Sequence, residues 1–280
     1  MNVKFIGTAA FEGFPGLFCS CPSCLKAFEL GGKNLRTRSG AIINGNLLLD
    51  VNPDLLQQRF SQNLDLQKLE DILVTHNHED HFNPQLLLAY RPPFSNAAGQ
   101  MHVYITAPGV KQFEEMVKKS GQEMIYDHVI QHEVTVYQWF ETSGGYSVFP
   151  VRAEHSAADS VIYLVKKEGK TALYGTDTGL PGQEAFDKLK EALDGNPLDL
   201  AILDCTNGLH PVDYFGHMGL PENIEMKNKM LNMGIADGNT MFAATHFSHC
   251  LGNGVPHSQM ETEFAKQGIE VAFDGLEVRV

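Results

Sequence analysis

The sequence predicts an α/β protein in which two β-sheets pack face to face with helices on their outer sides, all in one domain spanning residues 1–280. Three observations carry that expectation. The order of elements runs from strands to mixed strands and helices, in two roughly similar halves. No linker and no low-complexity segment divides those halves. Hydrophobic residues make up 43 % of the chain and charged residues 20 %, which is enough apolar material for a sizeable core.

Taken in order, residues 3–6 read as the first strand, followed by a long loop over residues 7–40. Residues 41–44 and 47–50 form a hairpin across Gly45-Asn46, a favoured two-residue turn. Pro53 opens a helix to about Ser61. The aliphatic run Ile72-Leu73-Val74 is a buried strand, and a helix lies near residues 84–90. A strand at residues 102–106 and a helix at 108–119 follow, the helix carrying Val110, Phe113, Met116 and Val117 at helical spacing. Between Gly121 and Gly145 the pattern is ambiguous, with a strand expected at residues 134–137 and a turn at Ser143-Gly144-Gly145. Strands recur at 147–153, 160–166 and 171–174, the last two joined by Glu168-Gly169-Lys170. Helices are expected at 181–193, 221–233 and 257–267, and strands at 198–203 and 240–244. Met226, Met230 and Met233 form a stripe that reads as core packing. Residues 269–273 and 276–280 are expected to close the chain as a hairpin across Asp274-Gly275.

The net charge of −13 argues against a general nucleic-acid binder, because phosphate neutralisation needs exposed Lys and Arg. No run of about eighteen apolar residues is present, so no membrane span is expected. Residues 1–7 read as a strand ending in a glycine turn rather than as a secretory leader. The expected compartment is the cytoplasm. Of the five cysteines, Cys19, Cys21 and Cys24 crowd into six residues; in a reducing compartment they read as metal thiolates rather than disulfides.

The chemistry concentrates after the strand at 72–74, in Thr75-His76-Asn77-His78-Glu79-Asp80-His81. Imidazole and carboxylate together suit zinc, manganese or iron. Four candidate ligands in six residues exceed what one tetrahedral ion takes from so short a segment, so two neighbouring ions explain them better. A histidine-rich surface turn is the bland alternative, but three histidines and an aspartate at one strand exit weigh against it. His155, Asp177, His217 and His246 also lie beside predicted strand ends. Such ends cluster on one side of a layered α/β fold. Taken singly, each of these is a common surface or turn residue. Gly175 and Gly179, flanking Asp177, are expected to free the backbone for a tight turn.

The segment Thr75 to His81 resembles the H-x-H-x-D-H signature of the metallo-β-lactamase superfamily, and His155, Asp177 and His246 match its later metal motifs in order. The resemblance covers essentially the whole chain and implies a four-layer αβ/βα sandwich. It implies that His76, His78 and His155 hold one ion, that Asp80, His81 and His246 hold the other, and that Asp177 bridges them. Two divalent ions (Zn, Mn, Fe or Ni) would then activate a water for hydrolysis, with Asp80 counted among the catalytic residues. His78, where the oxygen- and nitric-oxide-reducing branch has glutamate, favours hydrolysis over redox chemistry.

The cysteine run is similar to that of the PhnP-type phosphodiesterases of the carbon–phosphorus lyase pathway, as are Thr245-His246-Phe247-Ser248-His249 and Arg36-Thr37-Arg38-Ser39-Gly40. That likeness implies a structural zinc held by Cys19, Cys21, Cys24 and His249, with Cys250 an adjacent competitor for the fourth place. His217 resembles the extra histidine that ribonuclease Z and cyclic phosphodiesterases place beside the scissile phosphate. Its implied role is to donate to the leaving oxygen, with Asp204 orienting it or acting as a simple cap; His210 is a weaker rival. His102, His128, His132 and His257 have no partner motif and read as structural or surface residues, and Cys205 reads as a small buried hydrophobe. The expected substrate is a small or cyclic phosphodiester. Nucleic acid and membrane are not expected as partners, and a homodimer is left open. Rival readings are a ribonuclease Z-like tRNA-processing nuclease, a thioesterase or lactonase of the same fold, and a non-catalytic metal-holding protein resembling coenzyme-PQQ synthesis protein B.

Overall fold

The computed structural model describes every residue except Ala98, Asp213, Leu251 and Gly252. The chain begins with β1 (Asn2–Gly7), α1 (Pro22–Leu30), the hairpin β2 (Gly40–Ile43) and β3 (Leu47–Leu49), and α2 (Leu55–Gln62). It continues through β4 (Asp71–Leu73), β5 (Met101–Ile105), α3 (Ala107–Ser120) and β6 (Val129–Glu133). The second half holds β7 (Phe140–Glu141), β8 (Ser147–Arg152), β9 (Val161–Lys167), β10 (Lys170–Gly175) and α4 (Gln183–Leu193). Then come β11 (Leu200–Asp204), α5 (Leu220–Met233), β12 (Met241–Thr245), α6 (His257–Ala265), β13 (Glu270–Val271) and β14 (Glu277–Arg279).

The strands form two seven-stranded mixed sheets, ordered β14-β1-β2-β3-β4-β5-β6 and β13-β12-β11-β10-β9-β8-β7. Their facing sides share one apolar layer, in which Phe5, Ile43, Leu49 and Leu73 of the first sheet meet Val148, Tyr163, Val165 and Ile202 of the second. Each outer face is covered by helices. Phe113, Met116 and Val117 of α3 pack on the first sheet with Val74 and Val103. Phe186 and Leu189 of α4, Met226 and Met230 of α5 and Phe264 of α6 pack on the second. The layers are therefore helix, sheet, sheet, helix. The inner strands β2, β3, β4 and β11 are buried along their whole length, which is why their sequences read as continuous aliphatic runs. The methionine stripe is core: Met226 and Met230 are fully buried, and Met233 packs on the same cluster.

Four sequence expectations differ from the structure. The long loop over residues 7–40 contains α1, whose boundary signals are ordinary ones: Pro22 in its first turn and Gly31 at its end with φ 62°. The strand expected at 134–137 is displaced; Tyr137 sits at φ 63°, outside extended backbone, and pairing shifts to β6 and β7. The helix near residue 84 is a 3₁₀ segment, Pro84–Ala89. The last two strands do not pair as a hairpin. Strand β13 adds parallel to β12 in the second sheet, while β14 adds antiparallel to β1 in the first. Asp274-Gly275 is thus a crossover between sheets, pinned where the Asp274 carboxylate accepts bonds from Thr8 Oγ1 at 2.8 Å and from the Thr37 amide at 2.7 Å. No helix among the described residues is long and apolar enough to cross a membrane.

Candidate metal centre and active site

Six strands end at the same side of the sandwich, and each delivers a polar side chain. Asp50 follows β3, the His76–His81 turn follows β4, and His155 follows β8. Asp177 follows β10, Asp204 closes β11 and His246 follows β12. The turn after β4 is closed by bonds from the His81 and Phe82 amides to the His78 carbonyl, at 3.1 and 2.8 Å. Asp50, Asp177 and His246 all adopt positive φ, at 63°, 51° and 66°. Non-glycine residues rarely hold that conformation unless their surroundings impose it, and such residues gather at functional sites.

The structure brings every histidine and aspartate of the sequence motifs into one cluster. The ligand atoms of His76, His78, His155 and Asp177 lie within 4.8 Å of one another, as do those of Asp80, His81, Asp177 and His246. Asp177 belongs to both groups. Its Oδ2 is 3.2 Å from His76 Nε2, 3.3 Å from His81 Nε2 and 3.8 Å from His246 Nε2. His78 Nδ1 faces His155 Nε2 at 3.2 Å.

The ring nitrogens turned away from this centre are held by the protein. His81 Nδ1–H donates to Asp50 Oδ2 at 2.8 Å. His246 Nδ1 lies 3.2 Å from Asp204 Oδ2 and 2.8 Å from Thr206 Oγ1. His155 Nδ1–H donates to the Gly216 carbonyl at 3.2 Å. Such outward bonds fix the tautomer and leave the inner nitrogen as a lone pair. The consequence is that His81 Nε2 and His246 Nε2 confront each other at 3.2 Å, an arrangement that needs positive charge between them. His76 Nε2 is buried without a hydrogen-bond partner.

The electrostatics of the cluster express the same demand. Burial opposes a charge on His81, but Asp80, Asp50 and Asp177 outweigh it and raise its pKa well above that of free imidazole. Burial likewise opposes charge on His246, and Asp177, Asp204 and Asp80 still bring it up to about 9. His76 is pushed down to about 4 by burial and by the neighbouring His81. Despite its burial, Asp177 is held well below the carboxylate range by His246, His217, His76 and His81. Converging lone pairs, an orphaned imidazole nitrogen and ionised buried carboxylates fit two divalent cations bound to mixed N/O donors.

His217 stands over this cluster. Its Nδ1 is 3.0 Å from Asp177 Oδ1 and 3.7 Å from Asp204 Oδ2, which turns Nε2 away from them. Burial works against its charge, but the neighbouring Asp177 and Asp204 carboxylates raise it to about 10. Asp204 is fully buried and more heavily engaged than a turn cap requires: it also accepts the Met218 amide at 2.7 Å and Thr206 Oγ1 at 2.9 Å. It stands nearer His246 than His217, so it braces both. His210 reaches the Asn253 carbonyl at 3.3 Å instead. Gly179 does not make a turn through its own φ. Its role is closeness, since a Cβ there would lie 1.7 Å from the Phe215 carbonyl oxygen. The Asp177 and His217 loops therefore touch through backbone. A cleft of about 450 Å³ opens over the cluster, lined among others by Phe11, Glu12, Glu79, Ser156, Tyr214 and His217.

The cysteine loop forms a second centre. Cys19, Cys21, Cys24 and His249 place their ligand atoms within 4.8 Å of one another, with His249 Nδ1 3.6 Å from Cys19 Sγ and 3.5 Å from Cys21 Sγ. Cys250 Sγ points elsewhere, donating to the Thr206 and Ser248 carbonyls at 3.6 and 3.5 Å. Burial resists thiolate formation at Cys21, yet bonds from His249 and the Cys24 amide bring it to about 6, while burial pushes Cys24 up to about 12. Three thiols and one imidazole are the donor set that a tetrahedral zinc takes.

Sequence reasoning missed Asp50, Thr206 and Glu12. Asp50 was readable only as the end of a hairpin strand, and Glu12 lay inside what looked like loop. His102 and His132, without a motif, bond to each other at 2.9 Å away from either centre, and Cys205 is a fully buried small hydrophobe.

Paired mixed sheets flanked by helices, with a His/Asp cluster at one sandwich edge, define the metallo-β-lactamase class of proteins. This chain belongs to that superfamily, since residues 45–234 match the model of the beta-lactamase superfamily domain. Coenzyme PQQ synthesis protein B of Acinetobacter baumannii (strain ACICU) is 22 % identical, with 100 % of each chain covered. Among solved structures, a diphosphatase from the PhnP family superposes with a TM-score of 0.74 at 21 % identity, covering 100 % of this chain and 97 % of that one. Zinc-bound PqqB from Methylobacterium extorquens superposes at 0.68 with 18 % identity and full coverage of both chains. At these identities the structural likeness speaks for the fold.

Proposed function

We propose that this protein is a cytoplasmic metal-dependent phosphodiesterase acting on a small or cyclic phosphodiester. The observation that carries the reading is His217, braced by Asp177 and Asp204 over the Asp177-centred cluster and lining the cleft. Bound in the two His/Asp groups, a pair of divalent ions would supply Lewis acidity and a water of lowered pKa. His76, His78, His155 and Asp177 would hold one ion, and Asp80, His81, His246 and Asp177 the other. His217 would remain free of them and present Nε2 to the leaving oxygen as proton or hydrogen-bond donor. Asp50 and Asp204 would keep His81 and His246 in the metal-binding tautomer. Cys19, Cys21, Cys24 and His249 would hold a structural zinc.

The test is hydrolysis of an activated phosphodiester by protein loaded with zinc or manganese, against an ester and a lactone panel. Diester turnover that disappears in His78→Ala and Asp177→Ala, with circular dichroism unchanged, supports the reading; full activity in either variant sinks it. The end-to-end likeness to coenzyme PQQ synthesis protein B favours one rival, a protein that holds metal and ligand without turnover. Saturable ligand binding with no hydrolysis across the panel would favour that rival.

A further inference from the structure

We propose that the cleft selects phosphodiesters carrying a single negative charge, with a second arm that is neutral or cationic, and rejects those bearing an additional phosphate. The inference rests on the phosphodiesterase reading and adds the charge of the substrate to it. Among the described residues lining the cleft there is no Lys or Arg, whereas Glu12 and Glu79 both border it. Arg38, the cation beside Phe11, is already committed: its guanidinium pairs with Asp54 at 2.9 Å and donates to the Phe11 carbonyl at 2.7 Å. The two ion-binding groups and His217 suffice for one phosphate. Anything extending from it meets the Glu12 and Glu79 carboxylates, the Phe11 and Tyr214 rings and the Ser156 hydroxyl, with no fixed cation among them.

Glu12 is held in place rather than loose. Ser248 Oγ donates to its Oε1, and His249 Nε2 lies 3.6 Å from the same oxygen. A carboxylate so fixed accepts from a hydroxyl or an ammonium and repels a phosphate. Phe11 and Tyr214, 58 % and 41 % exposed, offer aromatic faces in the same cleft, and Tyr214 also packs against His217 with ring centroids 5.4 Å apart. Such faces attract apolar or cationic groups and supply no charge to balance an anion.

The probe is a matched pair of non-hydrolysable methylenephosphonate analogues of a nucleoside cyclic diester, one with a free 5′-hydroxyl and one 5′-phosphorylated. Binding is measured by calorimetry on the metal-loaded full chain. The 5′-hydroxyl analogue is expected to bind at least about tenfold more tightly, and the ratio to narrow in both Glu12→Gln and Glu79→Gln. Equal or tighter binding of the phosphorylated analogue, failure of both to bind, or a ratio unmoved in both variants would overturn the proposal. Turnover of the parent diesters is scored separately. Selective binding without turnover would sink the phosphodiesterase reading and leave the charge selectivity standing.

Discussion

His81 Nδ1 donates to Asp50 Oδ2 at 2.8 Å, and both side chains are completely buried. Asp50 also accepts the Thr75 amide at 2.8 Å, so a single carboxylate ties the end of β3 to the start of the metal-ligand turn after β4. Asp50→Asn keeps the shape and removes the charge that sets the His81 tautomer. The expected outcome is a loss of about 10–100-fold in affinity for one of the two divalent ions. Metal titration of the purified variant checks it, and two ions bound as tightly as in the parent would refute the role given to Asp50.

His217→Ala should lower kcat by roughly 10²–10⁴-fold and leave both divalent ions bound, because His217 belongs to neither ligand group of the proposed pair. Metal content by elemental analysis, read beside kcat, separates this from the loss of a ligand. A variant that loses an ion would reassign His217.

Cys21→Ser should release one zinc per chain and lower the melting temperature by several degrees, with kcat of the folded, metal-loaded enzyme changing less. A structural zinc contributes folding energy directly. Unchanged zinc content and melting temperature would count against this centre.

Gly179→Ala tests the contact between loops. Its Cβ would fall 1.7 Å from the Phe215 carbonyl oxygen, so the segment carrying His217 must move. Diester turnover should fall at least tenfold, since small misplacements of catalytic groups are costly, while the two divalent ions stay bound. Parental activity would show that the loop has room to give.

His257 supplies a pH prediction away from both centres. It is buried beside Arg36, whose guanidinium donates to its Nδ1 at 2.7 Å. Burial and Arg36 hold its pKa at about 4, against an ordinary 6.5. Below pH 6.5 the unfolded chain takes up a proton that the folded chain refuses, so stability is complete above 6.5 and declines as pH falls toward 4. Melting curves across that window should show the decline, and His257→Gln should flatten it. A variant as steep as the parent would assign the decline to other groups.

Much of this protein was legible in its sequence, for a local reason. The run Ile72-Leu73-Val74 followed by His76, His78, Asp80 and His81 encodes a buried strand and a ligand-rich exit within ten residues. His155, Asp177 and His246 stand at strand ends, where layered folds gather their chemistry. Aliphatic runs and helical periodicity likewise marked nearly all the strands and helices, because burial on both faces leaves a plain signature.

What the tertiary structure decided is partnership. The pattern of residues 269–280 is satisfied equally by a hairpin or by two sheets, and only the edges offered by β12 and β1 sent β13 and β14 apart. Asp50 became visible as the brace of His81 only once β3 lay beside β4. Glu12, in the loop after β1, acquired a place in the cleft because Ser248 and His249 hold it there from 236 and 237 residues further along the chain. Ligand types are a property of residues and survive in the sequence. Which side chain braces which is set by long-range packing between two sheets, and no local pattern records it.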